Sequence, residues 1–159
     1  MHTYVGTQTG HMILSPKDVL PKGYDPRTRP WYKQAMDNKG TVVATDPYVD
    51  AISGNIVVTI ARATDDGAGV AAVDLNLAKL SETVKAVQIG KSGYAFLLDK
   101  NSNTIVHPTI KPGDKASGTQ VTTMYSKPSG EFDYDYNGTP KKMVFATNEV
   151  TGWKIAGAR

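Results

Sequence analysis

The chain has 159 residues, 40% of them hydrophobic and 21% charged, with no cysteine and a formal net charge of +3. That composition fits a folded domain, or two small subdomains sharing a core, and not a disordered chain. It excludes disulfides, thiolate catalysis and cysteine zinc sites, and the mild, mixed charge with no basic run argues against nucleic acid.

"TYVGT" and "HMIL" flank a Thr9-Gly10 turn and predict a hairpin. A proline-rich loop, "SPKDVLPKGYDPRTRP", leads to Pro30, which suits the first turn of a helix over "WYKQAMDN" closed by Gly40. "TVVATDPYVDA" and "NIVVTIARA" are β-rich runs joined by Ser53-Gly54, and "GVAAVDLNL" is a further strand after "DDGAG". Leu77, Leu80, Val84 and Val87 recur at helical spacing and predict a helix over 77–88. "YAFLLD" and "TIVHP" then flank "KNSN", a polar loop follows over 108–118, and a short helix fits 119–126. Asn137-Gly138 between alternating runs is a strong hairpin signal, and "GWKIAGAR" closes the chain as a strand. The pattern is α+β, with two similar halves of antiparallel strands. No apolar run approaches the ~20 residues of a membrane span and no signal peptide is visible, so the chain reads as an excised soluble piece.

Several local patterns fail on context. "DYDYNG" matches the start of a calcium loop, but its twelfth position is Val144 and its flanks alternate like strands. "GAGVAA" precedes a strand and so lacks the helix N-terminus a dinucleotide needs. "GKS" at 90–92 lacks the upstream glycine of a phosphate loop, and His2, His11 and His107 have no metal-ligand spacing. No nucleophile–base arrangement points to an enzyme, and no metal or cofactor is expected.

One constellation does not fail. "YDPRTRPWYKQA" places Tyr24, Arg29 and Trp31 on a stretch stiffened by proline. A guanidinium fork, an indole N–H and a phenol hydroxyl, if they converge, make a carboxylate receptor. Tyr48 and Asp50 are two apart in an extended segment and share a face. Asp74 lies inside the apolar strand "GVAAVDLNL", where a buried acid without a partner wants a cation, such as a ligand ammonium. Each residue has a plainer reading. Arg29 could pair with Asp25 or Asp37, Trp31 could anchor the helix in a core, and Asp74 could cap the 77–88 helix or accept backbone amides.

The stretches "YDPRTRPWYKQA", "TDPYVDAISGNIVVTIA", "GVAAVDLNLAKL" and "GKSGYAFLLDKNSNTIVHP", in this order over nearly the whole chain, closely resemble the double Cache family. These are extracytoplasmic sensor domains of bacterial methyl-accepting chemotaxis proteins, sensor kinases and related proteins. The resemblance implies two PAS-like modules: a membrane-distal ligand-binding module in 1–76, a linking helix at 77–88 and a membrane-proximal module in 89–159. It also implies that the family's long N-terminal stalk helix, its membrane spans and its output region lie outside this chain. The full-length protein would be membrane-anchored and homodimeric, and this fragment monomeric. In an amino-acid-binding subgroup, the positions matching Tyr24, Arg29 and Trp31 engage the ligand carboxylate. Those matching Tyr48, Asp50 and Asp74 engage its amine. The implied function is reversible binding of an L-amino acid outside the cell. The alternatives are another small ligand, such as an organic acid, amine or purine, or sensing through a partner binding protein.

Overall fold

The computed structural model describes residues 2–159, and the chain divides into two units, Met1–Asn76 and Leu77–Arg159. In the first unit, β1 (Thr3–Thr7) and β2 (Met12–Ser15) form the expected hairpin. Gly10 takes φ +87° in its turn, a conformation open to a residue without a Cβ. A single 3₁₀ turn, Pro26–Thr28, follows, capped by the Asp25 carboxylate accepting the Arg27 N–H. It leads directly into α1 (Pro30–Asp37), where Pro30 occupies the first turn and its missing N–H costs nothing.

The run "TVVATDPYVDA" is not one strand. It breaks into β3 (Val43–Ala44) and β4 (Tyr48–Val49), because Pro47 between them has no N–H to give a ladder. Two long strands, β5 (Ile56–Ala63) and β6 (Gly69–Leu75), complete an antiparallel sheet of order β2-β1-β6-β5-β3, with β4 also paired to β5.

The second unit starts with α2 (Leu77–Lys85). It stops short of residue 88 because Gln88 and Ile89 instead pair as β7 with β8 (Gly93–Leu98). Then come β9 (Thr104–Val106), α3 (Thr119–Tyr125), β10 (Ser129–Tyr136), β11 (Thr139–Thr147) and β12 (Lys154–Ala158). The β10–β11 hairpin turns at Asn137 and Gly138, both at positive φ, which matches the strand twist. Asp135 of "DYDYNG" accepts the Gly138 N–H at 2.7 Å and so serves this turn.

The two sheets share one strand order. In each, the last strand lies between the opening strand of a hairpin (β1 or β8) and a long strand from later in the unit (β5 or β11). In each, a loop and a short helix follow the hairpin, α1 in one unit and α3 in the other. These are two PAS-like modules of one α+β design, as the sequence predicts.

The first core forms where α1 meets the sheet. Trp31, 1% exposed, stands edge-on to Tyr4 at 4.9 Å and to Tyr32 at 5.6 Å, over Ala61, Ala63, Val70 and Ala72. Burying an indole removes ~150–250 Å² from water, a gross gain of about 4–6 kcal/mol. The sheet makes room for it at Gly6, where a Cβ would lie 2.6 Å from the Trp31 ring and 2.9 Å from the Pro26 Cβ. Gly6→Ala should therefore overpack this contact and lower the urea-unfolding free energy by about 1–3 kcal/mol, whereas an unchanged midpoint would show that α1 sits loosely on the sheet.

Candidate functional site

The loop before α1, the short strand β4 and the paired strands β5 and β6 bring the sequence-predicted residues together. Arg29 is half-buried, just ahead of Pro30. Its guanidinium lies 6.0 Å from the Tyr24 ring centroid and 5.5 Å from that of Tyr48, and Nη2 donates to the Val49 carbonyl at 2.9 Å. Two aromatic faces and one carbonyl hold the fork in place. Among the described residues, no carboxylate lies within 4 Å of Arg29. Asp25 is taken instead by Arg27, through bonds of 2.9 Å (Nε to Oδ1) and 2.8 Å (Nη2 to Oδ2). Surface pairing with Asp25 or Asp37 is thus not what Arg29 does.

Trp31 reaches this place indirectly. Its ring belongs to the core, and it lies close enough to Tyr24 to act on that phenol. Burial raises the Tyr24 pKa, while the nearby Trp31 and the Arg29 charge oppose the rise and the charges of Asp50 and Asp74 reinforce it. One phenol therefore feels the cation and both acids.

Asp74 is 7% exposed, but it is not the partnerless acid that its strand setting predicts. Its Oδ1 accepts the Tyr4 hydroxyl at 2.6 Å and the Thr59 hydroxyl at 2.7 Å. Neither helix capping nor acceptance of backbone amides describes it. Cross-strand register sets this contact, since Thr59 on β5 stands opposite Asp74 on β6. Thr59 has a single hydroxyl proton and gives it to Asp74, so the 2.7 Å bond between Tyr48 and Thr59 is donated by Tyr48. A directed chain results, Tyr48 to Thr59 to Asp74. The Thr59 backbone N–H is held separately by the Thr45 hydroxyl at 3.0 Å. Burial pushes the Tyr48 phenol up to about 12, so it stays a neutral donor.

Asp50 begins the turn after β4. The Ser53 N–H and hydroxyl both donate to Oδ2, at 2.8 and 2.6 Å. Burial alone would raise its pKa, but these bonds outweigh burial and hold the carboxyl below its ordinary value. Sequence reasoning missed Tyr4 and Thr59, although the polar Thr59 on the inward face of "NIVVTIARA" was a usable signal. Arg29 stands against the rings of Tyr24 and Tyr48, and the charges of Arg29, Asp50 and Asp74 all reach Tyr24. Among the described residues, no group of three or more acids or histidines is placed to hold a metal.

Comparison with known proteins gives a consistent result. A Cache domain family model matches residues 3–159. The methyl-accepting chemotaxis proteins McpB and TlpB of Bacillus subtilis are 49% and 47% identical over 154 residues, 97% of this chain; the chain spans 23% of the length of each. Among solved structures, the ligand-binding domain of the Pseudomonas fluorescens chemoreceptor CtaA with L-serine superposes at a TM-score of 0.79 with 31% identity, over 99% of this chain and 71% of that one. The Pseudomonas aeruginosa amino acid chemoreceptor PctB with L-Gln gives a TM-score of 0.77 at 27% identity, over 99% and 66%.

Two outcomes test the geometry without any ligand. Thr59→Val should strand the Tyr48 hydroxyl and half of the Asp74 acceptance, and lower chemical stability by about 1–3 kcal/mol; stability equal to the parent would mean that the chain of hydroxyls carries no energy. Because the Asp50 pKa is lowered on folding, its stabilisation is full above the unfolded pKa and fades as pH falls through the folded one. In Ser53→Ala, carbon-detected NMR should show Asp50 titrating at higher pH than in the parent.

Proposed function

The chain belongs to the Cache domain family, and from that premise we propose that its first unit binds an L-amino acid between Arg29 and Asp74 as the sensing step of an extracytoplasmic receptor. The observation that carries this reading is an arginine fork held by Tyr24, Tyr48 and the Val49 carbonyl, with no carboxylate partner among the described residues. A bidentate carboxylate is the partner such a fork fits best.

In this reading the ligand carboxylate lies on Arg29, with the Tyr24 hydroxyl beside it and Trp31 positioning Tyr24 from the core. The ligand ammonium lies toward Asp74 and Asp50. Each acid has one oxygen engaged by protein hydroxyls or amides and keeps the other for the ligand. Tyr48 touches both halves, since its ring faces Arg29 and its hydroxyl feeds Thr59. A ligand that carries only a carboxylate leaves the two acids without a cation, which disfavours simple organic acids.

CtaA and PctB support the ligand class, being solved with L-serine and L-Gln respectively. McpB and TlpB support the receptor context. Membrane anchoring, homodimerisation and chemotactic output would belong to the longer protein, and no catalysis is assigned to this chain. For signalling, the ligand must bind two conformations of the module with different affinity.

The test is calorimetry of the purified domain with the twenty L-amino acids. At least one should bind, and Arg29→Ala should remove about 2–5 kcal/mol of its affinity while the domain stays folded. Arg29→Lys should not restore binding, because a point charge lacks the fork. Affinity unchanged in Arg29→Ala would end the carboxylate assignment. Asp74→Asn still accepts hydroxyl protons but cannot offset an ammonium, so affinity should fall at least about tenfold, near 1.4 kcal/mol, with only a small change in the melting temperature without ligand. The reverse pattern would make Asp74 a purely structural acceptor.

A further inference from the structure

The second unit contains a cavity of about 330 Å³ between the face of its sheet and the covering loop and helix α3. That volume falls at the lower end of the ~300–1,000 Å³ range of small-molecule sites. By strand order, the position corresponds to that of the six-residue site in the first unit: sheet behind, post-hairpin loop and helix in front. The chemistry differs. Leu98, Met124 and Met143, each no more than 2% exposed, form an apolar floor. Tyr94, Phe96, Tyr134 and His107 add aromatic walls, with His107 edge-on to Tyr94 at 5.4 Å and to Phe96 at 5.2 Å.

His107 fixes the polarity of the cavity. Its Nδ1 accepts the N–H groups of Thr109 and Ile110 at 3.1 and 3.2 Å. Burial pushes its pKa down, so the ring is neutral and its proton sits on Nε2. That N–H has no partner among the described residues and remains as a donor. One cation, Lys115, lines the wall, and a second, Lys141, stands behind it with Nζ 5.7 Å from the centroid of the lining Tyr94. One acid, Asp114, opposes them. The free His107 donor and the Lys115 cation among aromatic rings, with Lys141 close by, suit an acceptor-bearing ring and disfavour an amine.

We propose that the second unit binds a small aromatic carboxylate in this cavity, independently of the site in the first unit. Its ring would lie on Leu98, Met124 and Met143, and its carboxylate would meet the His107 Nε2–H and Lys115.

Benzoate, with indole and benzylamine as controls, tests this by calorimetry on the whole domain. Gln120→Trp and Ser117→Trp place an indole into the cavity from lining positions that are at least partly exposed, so at least one should keep the parent's circular dichroism. Benzoate should bind saturably to the parent and equally to Arg29→Ala, and at least tenfold more weakly to whichever tryptophan variant is folded. Indole should bind more weakly than benzoate, and benzylamine weakest of all. No saturable binding of benzoate to the parent overturns the proposal, as does loss of binding in Arg29→Ala with retention in the folded tryptophan variant. Benzylamine binding as tightly as benzoate overturns the assignment of charge.

Discussion

Asp74 sits in an apolar strand, 7% exposed, and the first unit is arranged to keep a carboxylate there. A buried carboxylate is costly unless it is hydrogen-bonded and faces a cation. The protein meets the first condition with Tyr4 and Thr59, at 2.6 and 2.7 Å. It does not meet the second. Its nearby cation, Arg29, is instead turned to the Val49 carbonyl and two tyrosine rings. Opposite charges are thus kept apart by neutral hydroxyls within one unit. In the proposed reading, that separation suits the place to a zwitterion instead of an internal ion pair.

Holding the charges apart depends on parts of the fold that carry no charge. Thr59 must stand opposite Asp74, which the β5–β6 register fixes. Tyr48 must reach Thr59, which requires the short pairing of Tyr48 with Val57 after the Pro47 break. Tyr4 must lie under Trp31, and Gly6 beside it must have no side chain. Arg29 is presented by extended backbone at φ −80°, ψ 148°, immediately before the helix that Pro30 opens. Site and core are therefore the same packing: Trp31 and Tyr4 serve the hydrophobic cluster with their rings, while the Tyr4 hydroxyl serves Asp74.

Much of this is legible in the sequence, for identifiable reasons. Tyr24, Arg29 and Trp31 occur within eight residues, and Tyr48 and Asp50 within three, so local pattern alone groups them. Asp74 is conspicuous as an acid among alternating apolar residues. Hairpins at Gly10 and at Asn137-Gly138 follow from turn chemistry, and both glycines take positive φ. Tyr4 and Thr59 were not legible, because they lie 70 and 15 residues from Asp74 and act only once strands pair. For the same reason Asp74 read as partnerless. Helix α2 ends at Lys85 because the residues after it join the sheet through β7, a tertiary preference that overrides helical periodicity. The second unit gives no comparable local motif, since its cavity is lined from β8, the following loop, α3, β10 and β11, and only the fold assembles it.

The central claim is that one ligand must satisfy both Arg29 and the acids. It is tested most directly by titrating the domain with the L-amino acid that binds it best, with the N-acetyl derivative and with the methyl ester of the same compound. Acetylation removes the ammonium and esterification removes the carboxylate, while the side chain is unchanged. Each change should weaken binding at least about tenfold, near 1.4 kcal/mol. Either derivative binding as tightly as the parent amino acid would contradict a receptor built on separated, complementary charges.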